Sequence, residues 1–205
     1  MKRALLSTLS GVALLLGASA ASAQQAPVKF GLCYDLSKAY TFVTPQIVQA
    51  AKDYADILNA KGGLEGSPIE IVVQDHGNEP QRGIECYEKL KREGVMIFDT
   101  LSTPVSRAML PRAMADGNIM LQSFVGRGDA IDGDVFKWVF PIGPTYWGQM
   151  ANNIQYIKNQ NKGSLKGVKV GFIYPDYAFG QEPIPILKTL AEKEAQGVHG
   201  AELDN

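Results

Sequence analysis

Short apolar runs of strand length alternate along this chain with longer stretches whose apolar residues recur every three or four positions. Residues 28–34 (VKFGLCY), 69–73 (IEIVV), 95–98 (VMIF) and 119–121 (IML) are the strand-length runs. Between the first two, residues 46–61 place Ile47, Ala50/Ala51, Tyr54 and Ile57/Leu58 at helical spacing. Ile84, Tyr87 and Leu90 mark one side of a second helix, opened by Asn78 and Pro80, and Met109, Leu110, Met114 and Ala115 belong to a third. The punctuation agrees. Thr44-Pro45 and Ser102-Thr103-Pro104 read as helix starts, since proline suits the first helical position and a hydroxyl caps a free N–H. Gly62-Gly63 and Gly117 read as stops, where a left-handed residue without a side chain costs least. Strands separated by helices imply parallel pairing through right-handed crossovers.

The pattern restarts after a Gly/Asp-rich loop at 126–134 and a short strand at 135–140. Residues 146–160 form a helix with Trp147, Met150/Ala151, Ile154 and Ile157 in phase; 169–174 (KVGFIY) read as a strand and 180–193 as another helix. This divides the chain into a βα lobe over 24–125, a crossover over 126–144 and the start of a second βα lobe over 145–194. Residues 195–205 form an atypical tail where the pattern calls for another strand.

The N-terminus changes the setting. Lys2 and Arg3 precede an apolar stretch over 4–18, and Ala21-Ser22-Ala23 is an A-x-A cleavage site, so residues 1–23 read as a secretory leader. Without its two basic residues, the 20 Lys and Arg fall to 18 against 21 Asp and Glu, a balance of −3. Such a surface offers no polybasic footprint for nucleic acid or anionic lipid. No later stretch approaches the roughly 18 apolar residues of a membrane span, so no direct membrane insertion is expected once the leader is removed. The chain has two cysteines, Cys33 and Cys86. Export permits a bridge between them, since the second helix can cross over the first strand; two buried free thiols are the reading preferred here.

Residues 57–83, ILNAKGGLEGSPIEIVVQDHGNEPQRG, carry a resemblance as well. The NAKGG…G…V…D order resembles that of the leucine/isoleucine/valine-type periplasmic binding proteins, the type I solute receptors of ABC importers, and weaker likeness extends over 29–190. The resemblance implies an α/β fold of periplasmic binding protein type I-like architecture, with parallel sheets flanked by helices in two lobes. Family members are about twice as long, so the chain reads as a truncated form with an incomplete second lobe, expected to be marginally stable and to bind weakly or not at all by itself. The implied role is capture of amino acids of branched-chain type, or related aromatic or aliphatic carboxylates, in the periplasm for an inner-membrane ABC permease. A ligand-sensing ectodomain on the same fold is the alternative. The family's usual disulfide joins the loop after the second strand to the end of the third; Asn78 and Ser102/Thr103 stand at those places here.

In an open parallel sheet, ligands bind beyond the carboxyl ends of the strands. Tyr34, Ser102, Thr103 and Ser123 fall there in the first lobe, and Tyr146 and Phe179 in the second. Ser102 and Thr103 precede a helix whose first N–H groups attract an anion, and the resemblance assigns the serine and its following loop to the ligand carboxylate. Phe42 and Phe179 are at or next to positions where the family places aromatic rings over the ligand side chain. The ligand-binding set is therefore Tyr34, Phe42, Ser102, Thr103, Ser123, Tyr146 and Phe179.

Other classes fit poorly. Asp35 and Asp99 end strands as a phosphoacceptor pair would, but an exported chain does not meet cytoplasmic phosphodonors. Asp75 ends the second strand as a ribose-binding acid would, yet the first turn, CYDLSKAY, has no G-x-G-x-x-G. His76 and His199 are the two histidines, and no nucleophile elbow is present, so no catalytic residue, metal or cofactor is expected. Gly126-Arg127-Gly128 reads as a chain turn, and Arg127-Gly128-Asp129 as a mobile loop.

Overall fold

The computed structural model describes residues 25–195; the leader and the atypical tail lie outside them, apart from Ala195. Strands β1 (Val28–Tyr34), β2 (Ile69–Asp75), β3 (Ile97–Asp99), β4 (Ile119–Ser123) and β5 (Val139–Ile142) form one parallel sheet in the order β2-β1-β3-β4-β5. Helices α1 (Thr44–Ala60), α2 (Pro80–Arg92) and α3 (Thr103–Asp116) connect the first four strands. α4 (Tyr146–Gln160), α5 (Ala178–Gln181) and α6 (Ile184–Ala195) follow. This is the architecture of the type I-like α/β class.

Period-two alternation in β1 divides the core into two layers. Cys33 faces Cys86, Tyr87 and Leu90 of α2, with Phe98, Val105 and Met109 completing that side. Leu32 and Tyr34 face the opposite side, where Val48 and Ile47 of α1 pack with Leu101. Tyr87 and Leu90, 0% and 1% exposed, each stabilise the first layer by about 2–3 kcal/mol on area grounds.

Ser102 caps α3, accepting from Val105 N at 3.4 Å, and Gly117 stops it with φ 69°. The α1 stripe differs from its expected face. Thr44, Val48 and Ala55 are buried, with Ile47, Ala51 and Leu58 partly so, while Tyr54 and Ile57 are 62% and 50% exposed. Both sides of the helix carry apolar residues, so spacing alone does not select the one that packs.

Three other expectations are corrected. The short strand expected at 135–140 is β5, four residues later, and it pairs with β4 as an edge of the first sheet. Residues 169–174 join no strand ladder among the described residues, and Ile173 is 98% exposed. The helix expected at 180–193 is two helices, α5 and α6, parted at Glu182-Pro183.

The cysteines are not free thiols: Cys33 and Cys86 are bridged across the β1–α2 layer, with Cα atoms 6.2 Å apart. Both are almost wholly buried. The positions of the family's usual bridge hold a hydrogen bond instead, from Ser102 Oγ to Asn78 Oδ1 at 2.6 Å. The bridge closes a loop with a sequence separation of 53, which in the chain-entropy treatment is worth about 4 kcal/mol. Replacing both cysteines by serine should therefore lower unfolding free energy by about 2–5 kcal/mol in denaturant melts. Melts that coincide with the parent would show that the bridge does not contribute.

Candidate functional site

The carboxyl ends of the strands are organised by acids whose oxygens accept from donors of the chain itself. Asp35, directly after β1, accepts from Ser37 N, Lys38 N and Tyr40 N at 3.2, 2.8 and 2.8 Å and so winds the loop leading to α1. Thr44 Oγ1 donates back to the carbonyls of Asp35 and Tyr40. Asp75 accepts from Leu36 N, Ser37 Oγ, Gly77 N and Arg82 Nη2. Burial works to raise its pKa, but these donors outweigh it and hold the carboxyl at about 2. Asp99 takes the Tyr34 hydroxyl at 3.2 Å and Leu101 N at 3.4 Å. Its burial pushes the carboxyl up, against the hydrogen bonds from Ser123, Leu101, Thr100 and Tyr34.

Above this layer lies a cavity of about 330 Å³. One wall comes from the β1–α1 loop and the start of α1 (Tyr40, Phe42, Val43, Ile47), another from Leu101, Thr103 and Phe124 after β3 and β4, and a third from Tyr146, Gln149 and Phe179. None of these lining residues is ionisable at neutral pH. Leu101 and Phe124 hold left-handed backbone, φ 42° and 61°. That conformation costs a non-glycine residue about 1–2 kcal/mol, and here it turns both chains into the cavity wall.

Tyr146 is the polar hub. Its hydroxyl donates to Phe124 O at 3.0 Å, so the 2.8 Å contact with Thr103 Oγ1 has threonine as donor. Its ring meets Phe179 edge-on at 5.2 Å. Pro104 has no N–H and Val105 N is capped by Ser102, so the start of α3 is largely accounted for within the chain.

The family model described as periplasmic binding protein matches residues 27–202. The chain belongs to the periplasmic binding protein family. A curated relative, Leu/Ile/Val-binding protein homolog 8 of Brucella suis, is 24% identical over 186 residues, covering 88% of this chain and 45% of its own length. A fatty acid ABC transporter substrate-binding protein from Thermomonospora curvata superposes with TM-score 0.69 at 28% identity, over 82% of this chain and 42% of that one. A branched chain amino acid ABC transporter protein from Thermus thermophilus with bound valine gives TM-score 0.73 at 18% identity, over 83% and 44%. This periplasmic binding protein chain thus spans less than half the length of these relatives. The family and its neighbours are solute-binding proteins rather than enzymes.

Of the seven residues singled out in the sequence, Phe42, Thr103, Tyr146 and Phe179 line the cavity together. Tyr34, Ser102 and Ser123 lie outside its lining: Tyr34 and Ser102 are buried on Asp99 and Asn78, and Ser123 supports Asp99. Tyr40, Gln149, Leu101 and Phe124 belong to the wall but were not among the seven. The glycine-rich loop is also more than a turn. Gly126 O accepts from Tyr146 N, and a side chain at Gly128 would meet the Trp147 ring at 3.2 Å. Gly180 is similarly confined, since a Cβ would lie 2.2 Å from Pro175 O.

His76 links two strand ends. It is 0% exposed, with Nδ1 accepting from Asn78 N at 2.9 Å and Nε2 facing Thr100 O at 3.1 Å. These partners select the neutral tautomer with hydrogen on Nε2. Burial lowers its pKa below the ordinary 6.5, against the pull of Thr100, Asp35, Asp75 and Cys33. Above pH 6.5 both folded and unfolded chains hold it neutral; below, the unfolded chain takes the proton more readily, and stability falls with pH. Melts between pH 8 and 5.5 should show that decline, and His76→Gln should flatten it; an equal slope in both would exclude His76 as its source. Ser102→Ala removes the α3 cap and strands Asn78 Oδ1, and should cost about 1–2 kcal/mol by chemical denaturation.

Proposed function

We propose that this chain forms the ligand-gripping part of the substrate-binding component of an ABC importer. It captures amino acids of branched-chain type or related small carboxylates in the periplasm and delivers them to an inner-membrane permease. The observation carrying this reading is the aromatic, uncharged cavity closed on one side by the start of α3. Phe42, Ile47, Leu101, Phe124 and Phe179 suit a hydrocarbon chain or ring, while the α3 N-terminus and Thr103 suit a single negative charge. At 330 Å³ the cavity sits at the low end of the roughly 300–1,000 Å³ range for small-molecule sites, which favours a short acid over a long one. Two relatives, one a Leu/Ile/Val-binding protein homolog and one a fatty acid substrate-binding protein, are named for ligands that pair a carboxylate with an apolar body. Export through a leader cleaved after Ala23, and division into lobes about 126–144, are part of the same reading.

Thermal melts with leucine, valine, benzoate and octanoate, each at about 10 mM so that weak ligands register, test it. At least one acid should raise Tm. Thr103→Val should weaken that acid about tenfold, the loss expected for one hydrogen bond to a charged group. No shift with any of the four acids would overturn the reading.

A further inference from the structure

A seam runs between the first sheet and the segment carrying Tyr146 and Phe179, and one side chain that touches no ligand position crosses it. Glu182, whose side chain is 9% exposed, follows α5 directly. Its Oε2 accepts from Arg107 Nη2 at 2.6 Å and its Oε1 from Gly128 N at 2.8 Å. Its carbonyl takes Trp147 Nε1 at 3.1 Å. One residue thereby joins α3, the loop after β4, and the start of α4. The Tyr40 and Tyr177 hydroxyls, 3.3 Å apart, make a second, weaker crossing on the other side of the cavity.

We propose that Glu182 is a positioning residue, a latch that holds the Tyr146–Phe179 wall against the strand ends and so sets the affinity of the cavity without lining it. The proposal rests on the receptor reading for its link to affinity. Arg107 stands four residues after Thr103, on the same face of α3, so the latch pulls on the helix whose first residue meets the ligand. Phe179 stands one turn before Glu182, and Gly180 between them leaves no space for slack, because Pro175 O fills the place of a Cβ. A shift at Glu182 therefore moves the aromatic wall. Two charge-assisted hydrogen bonds to one largely buried carboxylate are strong enough to bias an open–closed equilibrium, and a ligand that prefers the closed form gains by that bias.

The test uses the 205-residue chain with spin labels on cysteines introduced at Lys52 of α1 and Lys188 of α6. Its two native cysteines are bridged and do not label. Interlabel distances in the unliganded parent are compared with Glu182→Gln, Glu182→Ala and Arg107→Gln. Distances should lengthen and broaden in all three, most in Glu182→Ala, which also loses the Gly128 bond. With leucine and benzoate as probes, the two Glu182 variants should bind about tenfold more weakly than the parent. Parental distance distributions in every variant would overturn the latch. If the parent binds neither probe, the ligand reading fails, and the distances still decide the latch.

Discussion

Carboxylates at the ends of three adjacent parallel strands, and the N–H and O–H groups that saturate them, are the constraint on which this site depends. A parallel sheet delivers each strand to the same edge, where the chain must turn at once into a loop whose backbone donors need partners. Asp35, Asp75 and Asp99 meet that need from within. The loops are thereby drawn tight, α1 and α3 begin at set positions, and the space above the strand ends is left to aromatic rings and hydroxyls. An acid at a strand end, read in isolation, looks like chemistry; here its lone pairs are already used to shape a wall.

How much of this could be read from the chain depended on how local the cause was. The bounds of α4 followed from its apolar period, and the cap and stop of α3 from a hydroxyl, a proline and a glycine acting on their own neighbours. The exposed side of α1 did not, because Tyr54 and Ile57 satisfy the same period as Val48 and Ala55. The Cys33–Cys86 bridge also escaped, since pairing depends on where α2 crosses β1, a distance that sequence separation does not encode. Of the site, the aromatic and hydroxyl residues next to strand ends were legible as a group. The reason Ser102 and Tyr34 turn inward was not: it lies in Asn78, from the loop after β2, and Asp99 of β3, their partners from elsewhere in the chain. The role of the Gly126–Gly128 loop required knowing what packs on it.

Backbone strain sits where the cavity is built. Leu101 and Phe124 adopt left-handed conformations that bulky residues avoid, and they follow neighbouring strands. Such conformations persist only where the surrounding structure holds them, and the two are held differently. Leu101 is buried in the α1 layer, whereas Phe124 is 74% exposed and anchored through its carbonyl to Tyr146. The two residues of this one wall are thus held unequally: Leu101 is built into the core, and Phe124 depends on a single hydroxyl reaching across.

The covalent tie between β1 and α2 gives this polypeptide a dependence on its surroundings that non-covalent packing would not. While thiols are kept reduced, β1 and the helix beside it are joined only by side-chain contact, and the chain opens more readily. Once oxidants act, the same contacts are locked. One amino-acid sequence therefore has two mechanical characters, pliant before oxidation and resistant after it.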